Sequence, residues 1–122
     1  EIKTTNSRIV AGKFSLDFPA YWNGIQVGED FSGFGSIMVD DSPTYEAPGH
    51  IYMFYFGDGM EDDNFVFSVM ELETQYKHNE AIPDDQTFFA ETIDHVYYWG
   101  PMDGATQQQL EEVPNIVKTI SF

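Results

Sequence analysis

The densest group of side chains able to bind a metal ion is an acidic stretch at residues 58–64. Its carboxylates are Asp58, Glu61, Asp62 and Asp63. Carboxylate oxygens suit Ca²⁺, which takes six to eight oxygen ligands. However, the spacing does not follow the EF-hand pattern, in which acidic residues alternate up to a glycine at position six. A solvated hairpin tip explains the same residues, so we expect no bound cofactor and keep calcium as the alternative.

The other residue types that commonly carry catalysis are few and scattered. His50, His78 and His95 form no HExxH or HxH grouping, and the chain has no cysteine. A zinc site and a thiol nucleophile therefore have no support in the sequence. Ser36 lies outside any Gly-x-Ser-x-Gly elbow of the kind that serine hydrolases use. We identify no catalytic residue and expect a protein that is not an enzyme.

A run of three aromatic residues, Tyr97, Tyr98 and Trp99, offers a different kind of site. Neighbouring side chains in a strand point to opposite faces, so Tyr97 and Trp99 share one face. If that face is open, it is a candidate contact surface for a sugar or a protein partner. If a helix covers it, both residues belong to the core, which is the more common arrangement for aromatic strands.

Charge restricts the partners that the surface can attract. The chain has 21 Asp and Glu against five Lys and Arg, a formal net charge of −16 and a pI near 4.1. Such a surface repels phosphates, which excludes nucleic acid as a partner. It favours cations, basic protein patches or polycationic polymers, and it also keeps the protein soluble without any partner. The expected partner is thus an unknown protein or cell-envelope ligand of basic character.

Alternating and continuous apolar runs predict that most of the chain is β-structure. Phe14, Leu16 and Phe18 alternate with polar residues, as in a strand with one buried face. The predicted strands are Lys13–Phe18, Ile25–Phe31, Ser36–Val39, Ile51–Phe56, Phe65–Leu72, Thr87–Ile93 and His95–Trp99, of which the last four form two hairpins. Residues 1–12 are predicted to be a polar N-terminal tail, and residues 13–122 a single domain.

The spacing of the apolar residues changes near the C-terminus, where it predicts a helix. Leu110, Val113 and Val117 stand at i, i+3 and i+7, the spacing of one helix face. Asp103 is the expected N-cap of a helical segment over residues 105–120. Because proline inside a helix costs about 3 kcal/mol, we expect a break near Pro114. The predicted fold is α+β, an antiparallel sheet of about five strands flanked by helices.

The two ends of this pattern resemble a known architecture. The opening Phe-Ser-Leu-Asp-Phe-Pro-x-Tyr-Trp (Phe14–Trp22) and the closing Ile-Val-Lys-Thr-Ile-Ser-Phe (Ile116–Phe122) are similar to those of small exported domains and lipoproteins of Firmicutes-type bacteria with a PsbP/Mog1-like α/β/α sandwich. The resemblance implies a sheet flanked by helices, a Trp22 packed over the end of that sheet, and an extracytoplasmic location. It implies no catalytic residue. The chain reads Phe18-Pro19-Ala20-Tyr21-Trp22 where the usual pattern is Leu-Pro-x-x-Trp.

These observations favour a non-enzymatic extracytoplasmic accessory or binding domain. The alternative is an acidic intracellular inhibitor of the immunity-protein type, which would neutralise a basic partner. No apolar run approaches the roughly 18 residues of a membrane span. Because the chain begins with Glu1 and a polar stretch, we expect a mature secreted or cell-surface protein whose leader has been removed.

The excess negative charge makes a first prediction, on stability. Self-repulsion opposes the compact state, and salt shortens the screening length from about 30 Å at 0.01 M to about 10 Å at 0.1 M. The melting temperature at pH 7 should therefore rise between these two NaCl concentrations. At matched ionic strength, millimolar CaCl₂ should add nothing more. A saturable calcium-specific increase that is lost in Asp62→Asn/Asp63→Asn would instead establish a calcium site.

Overall fold

A computed structural model describes residues 7–22, 24–30, 37–38, 46–47, 49–57, 64–80 and 82–122. One α-helix and nine strands lie in this part of the chain. The strands are β1 (Ser7–Ala11), β2 (Phe14–Phe18), β3 (Gln26–Asp30), β4 (Ile37–Met38), β5 (Glu46–Ala47), β6 (Gly49–Tyr55), β7 (Phe65–Glu73), β8 (Thr87–Glu91) and β9 (His95–Pro101), and the helix is α1 (Gln107–Val117). Short 3₁₀ turns occupy Ala20–Trp22 and Thr74–Tyr76.

The main structural element is a five-stranded antiparallel sheet in the order β3-β6-β7-β9-β8. Strand β7 lies at its centre, and every residue from Phe65 to Leu72 is buried. Its unbroken apolar run predicted a strand, and both predicted hairpins, β6–β7 and β8–β9, are present. The prediction of an α+β fold with an antiparallel sheet of about five strands is confirmed.

A separate hairpin of β1 and β2 packs on one face of this sheet. The two strands pair in register from Ser7 opposite Phe18 to Ala11 opposite Phe14. Gly12 makes the turn with φ of +57°, and the Tyr52 hydroxyl lies where a side chain at Gly12 would begin. A strand thus stands at residues 7–11, where the sequence predicted a polar tail. The last three residues of β1, Ile9, Val10 and Ala11, are apolar, and pairing with β2 orders this short segment.

The larger core lies between the five-stranded sheet, this hairpin and α1. Its rings pack closely: Phe54 stacks on Phe67 with centroids 4.6 Å apart, and Phe18 contacts both. Trp22 is only 2% exposed and caps this cluster at one end of the sheet, as the sequence predicted. The fully or nearly fully buried members include Phe14, Leu16, Phe18, Tyr52, Phe54, Val66, Phe67, Val69, Tyr97, Val113, Ile116 and Val117.

A smaller apolar cluster covers the opposite face. Tyr98 belongs to it while its neighbour Tyr97 belongs to the larger core, as strand alternation requires. Its buried members are Met70, Leu72, Tyr76, Val96 and Tyr98, with Ile82 and Phe88 packed against them. In the described residues this second face is covered by turns and coil from the segment after β7. The helices expected to flank the sheet are thus not seen on this face, and the one α-helix of the described residues, α1, packs in the larger core on the other face.

The helix differs from its prediction in two details. It runs without interruption from Gln107 to Val117 with Pro114 inside it, so the predicted break is not seen. Its N-cap is Thr106 rather than Asp103, and Thr106 forms a capping box in which the Gln109 N–H donates to the hydroxyl at 3.1 Å. Burial of three apolar residues, Val113, Ile116 and Val117, offsets the loss of one backbone hydrogen bond.

We expect Pro114→Ala to stabilise the protein. The substitution restores an N–H that can donate to the Leu110 carbonyl and removes the steric clash of the proline ring, together worth up to about 3 kcal/mol. The unfolded chain of the variant has more conformational freedom, which lowers this gain in the free energy of unfolding by about 0.4–1 kcal/mol. Urea unfolding measures the net gain. The control is Glu111→Ala, at an exposed site of the same helix, which should change the free energy of unfolding by less than about 0.5 kcal/mol. If Pro114→Ala leaves the stability unchanged or lowers it, the proline is not strained.

Candidate functional site

The candidate site is built on one hydrogen bond between the first 3₁₀ turn and the helix. Trp22 ends the turn that follows β2, and its ring packs among Phe18, Phe56 and Phe67 with centroids 5.6–6.4 Å away. The indole N–H of Trp22 donates to Glu112 Oε2 at 2.6 Å. Since a buried N–H must find an acceptor, this bond brings a carboxylate of α1 to the end of the sheet.

Tyr21 lies beside the same carboxylate at the surface, with 69% of the residue exposed. Hydrogen bonding to Glu112, then desolvation and the negative charge of Glu112, raise the pKa of Tyr21 above its ordinary value of 10. Two consecutive residues, one buried and one exposed, therefore lie against one carboxylate. We call this pair of side chains, Tyr21 and Glu112, the ridge.

The ridge separates two clefts, and both of its residues line each of them. The first cleft has a volume of about 210 Å³ and is completed by Trp22, Phe56 and the amides of Gln108 and Gln109, among others. The second has a volume of about 260 Å³ and is completed by residues of β2 and the C-terminal half of the helix, including Asp17, Asn115 and Thr119. Each cleft thus combines a tyrosine ring, a carboxylate and amide groups.

The walls of the second cleft are fixed by hydrogen bonds. The Asp17 N–H donates to Thr119 Oγ1 at 2.8 Å, and that hydroxyl donates to the Ile116 carbonyl at 2.6 Å. Asp17 Oδ1 also forms an ion pair with Arg8 Nε at 2.9 Å. Among the described residues, no lysine or arginine side chain lines either cleft, and Glu112 is the charge that both present. Their common chemistry is that of a site for a cationic group.

A second carboxylate lies inside the core and has a different role. Glu71 is 2% exposed and accepts a hydrogen bond of 2.6 Å from the Tyr97 hydroxyl on the neighbouring strand. Burial first, and then this bond, raises the pKa of Tyr97 well above its ordinary value. The rings of Phe14 and Phe122 lie 5.5 and 5.2 Å from Tyr97. Enclosed in this way, the pair holds β7 to β9.

The structure places the aromatic residues proposed from sequence on a covered face. Tyr97 is 1% exposed, and Trp99 is half-buried against the larger core. This is the arrangement of the core alternative, and the cover comes from the β1–β2 hairpin as well as from the helix. Tyr21 is instead an exposed aromatic residue beside both of these clefts, and the sequence pattern did not single it out as a contact residue.

The calcium candidates Asp58, Glu61, Asp62 and Asp63 lie outside the described residues, so that site stays a prediction. In the part of the chain that the structure describes, no three His, Asp or Glu side chains group as metal ligands. The three histidines stand apart: His50 is in β6, His78 follows the second 3₁₀ turn and His95 begins β9. None of the described helices is long and apolar enough to cross a membrane.

Comparisons with protein-family models, with curated proteins and with solved structures find no match to this chain. The resemblance to PsbP/Mog1-like domains therefore stays a prediction. The geometry of the ridge must carry any functional argument by itself.

The buried pair makes a prediction on stability. Tyr97→Phe leaves the Glu71 carboxyl group in the core without its donor, which should cost about 1–3 kcal/mol in urea unfolding at pH 7. Tyr98→Phe is the matched control: the Tyr98 hydroxyl accepts from the His78 backbone N–H at 2.9 Å, on the other face of the sheet. Losing that neutral bond should cost only about 0.5–1.5 kcal/mol.

The raised pKa of Tyr97 predicts a pH dependence as well. The unfolded chain releases this proton near pH 10 while the folded protein retains it, so the contribution is complete below pH 10 and declines above it. The decline should approach about 1.4 kcal/mol per pH unit for this one group. Tyr97→Phe should lose that component of the alkaline slope. An equal slope in wild type and variant would show that Tyr97 ionises normally in the folded protein.

Proposed function

We propose that this chain is a non-enzymatic binding domain whose clefts on either side of the ridge receive basic side chains of a protein partner. The observation that carries the proposal is the ridge itself: an exposed tyrosine ring and a carboxylate that accepts the indole N–H of a buried tryptophan, between two clefts that no lysine or arginine of the described residues lines. Aromatic rings and carboxylates together are the groups that attract cations.

The charge of the whole chain supports a basic partner. With a net charge of −16, the field of the protein attracts positive patches from about a Debye length away, about 8 Å at physiological salt. Steering of this kind raises association rates toward about 10⁸–10⁹ M⁻¹s⁻¹ at low salt. Such attraction is diffuse, so it selects only for a positively charged partner. The ridge supplies a fixed point of contact for that partner.

Preorganisation favours the ridge over the other carboxylates as that contact. Glu112 accepts the Trp22 indole N–H, and it sits in a capped helix at the border of the face that is buried in the core. A fixed side chain loses little rotamer freedom on binding, whereas an exposed flexible carboxylate loses up to about 1.5 kcal/mol. The same ion pair is therefore worth more at Glu112 than at an unsupported surface position.

The lining groups of the clefts suit binding better than catalysis. The Thr106 hydroxyl at the first cleft is committed to the helix cap, and the Thr119 hydroxyl at the second donates to a backbone carbonyl. In the part of the chain that the structure describes, neither hydroxyl is paired with a base that would activate it as a nucleophile. Carboxylates, amides and an aromatic ring remain, and these are recognition groups.

The cellular setting of this binding domain follows from the sequence resemblance, which favours an extracytoplasmic accessory domain. An acidic intracellular inhibitor of a basic protein is the alternative, and the ridge serves either. The full-length gene distinguishes them: a leader peptide with a lipobox cysteine supports the first, and a start codon directly before Glu1 beside a toxin gene supports the second.

Calorimetric titration tests the proposal, with a capped peptide in which arginine and lysine alternate with glycine, at about 0.15 M NaCl. Glu112→Gln should weaken binding about tenfold, because it removes the charge but keeps an acceptor oxygen for the Trp22 indole. Glu111→Gln is the matched control: it changes the net charge equally, one residue away, outside both clefts. It should change the affinity less than about twofold.

Two outcomes would contradict the proposal. Equal losses in the Glu112 and Glu111 variants would mean that diffuse charge, and not the ridge, attracts the peptide. No measurable binding by the wild-type protein would remove the function altogether.

A further inference from the structure

We infer that the ridge selects arginine over lysine, so that the partner's key group is a guanidinium seated on Tyr21 and bonded to Glu112. This inference rests on the proposed function and names the side chain that the same site receives. Three features of the ridge carry it: the exposed tyrosine ring, the number of acceptor sites left on the carboxylate, and the amides beside it.

The tyrosine ring offers a flat surface. Tyr21 is 69% exposed and lines both clefts beside Glu112, so much of its ring is open to a ligand. A planar guanidinium stacks on such a ring with both dispersion and cation–π attraction. An ammonium group is compact and strongly hydrated, and it has no plane to stack.

The carboxylate of Glu112 has acceptor capacity left for a ligand. A carboxylate offers about four lone-pair sites. The Trp22 indole N–H occupies one of them at 2.6 Å. Even with the neighbouring Tyr21 hydroxyl on a second, about two sites remain for a ligand. Guanidinium donors are arranged as a rigid fork that can use two acceptors at once.

Amide oxygens on both sides extend this pattern. Gln109 Oε1 is already occupied, since it accepts the Thr106 N–H at 2.8 Å as part of the capping box. Gln108 in the first cleft and Asn115 in the second are exposed and carry amide oxygens within the same linings. A guanidinium has five N–H donors pointing outward in one plane, so acceptors spread around Glu112 match it better than they match a point charge.

The two tryptophans provide a direct test by NMR. The Trp22 indole N–H bonds to Glu112 and reports on that carboxylate, and the Trp99 indole, on β9, is an internal control. We expect N-acetyl-arginine amide to move the Trp22 indole signal along a saturable curve and to leave the Trp99 signal in place. N-acetyl-lysine amide, at the same ionic strength, should bind about fivefold more weakly. Trp99→Phe assigns the two signals.

Variants separate the ring from the charge. Tyr21→Leu keeps an apolar side chain but removes the ring, so it should reduce the preference for arginine to less than about twofold. Glu112→Gln should weaken both amides, and Glu111→Gln should weaken neither. All three variants are compared with wild type for their amide spectra, which shows whether each is folded.

The outcomes distinguish this inference from the proposed function. Equal affinities for the two amides, or an arginine preference that survives Tyr21→Leu, would overturn arginine selection while the basic peptide still binds through Glu112. A peptide that binds in a Glu112-dependent manner with no Trp22 shift from either amide would also overturn it. Absence of both peptide binding and amide binding would overturn the function together with the inference.

Discussion

The buried indole N–H of Trp22 is the constraint on which the rest of the candidate site depends. Trp22 must pack among Phe18, Phe56 and Phe67 to close the end of the core, and that position takes its N–H out of water. Only an acceptor brought by another element satisfies it, and Glu112 does so at 2.6 Å. The bond therefore fixes the rotation of the helix about its axis. With that rotation fixed, a carboxylate comes to lie beside Tyr21 on the surface.

The same packing explains why the helix tolerates its proline. Val113, Ile116 and Val117 are buried on one side of α1, and each such side chain contributes about 1.5–3 kcal/mol. That gain exceeds the penalty of one proline, so tertiary burial decides the course of the chain where local propensity predicted a break. The capping box at Thr106 fixes the start of the helix and thus the height of Glu112 along the sheet. The local capping box and the long-range burial of the helix face together determine where the Glu112 side chain lies.

Periodicity predicted the elements of this fold well, and it predicted the site poorly. Alternation in Phe14–Phe18 and the apolar run of β7 define strands by themselves, because the period of a strand is local. The strand β1 was not predicted, since it depends on pairing with β2 and on the ion pair from Arg8 to Asp17. Trp22 and Glu112 are 90 residues apart, and no pattern in the sequence joins them. The β1–β2 hairpin helps to cover the face of β9 that carries Tyr97. Because the sequence did not predict this hairpin, it could not decide whether Tyr97 is a core residue or part of a contact surface.

The acidic surface and the ridge act on the same equilibrium. Five cationic residues can neutralise at most five of 21 carboxylates one to one, and two such pairs, Arg8–Asp17 and Lys77–Glu91, occur among the described residues. The remaining repulsion is a cost that the folded protein bears alone and that a bound basic partner would relieve. Binding would then stabilise the fold through its contacts at Glu112 and also by neutralising distant carboxylates. Salt reduces that repulsion too, but it weakens attraction to the partner, so the gain from binding is greatest at the ionic strength where the free protein is least stable.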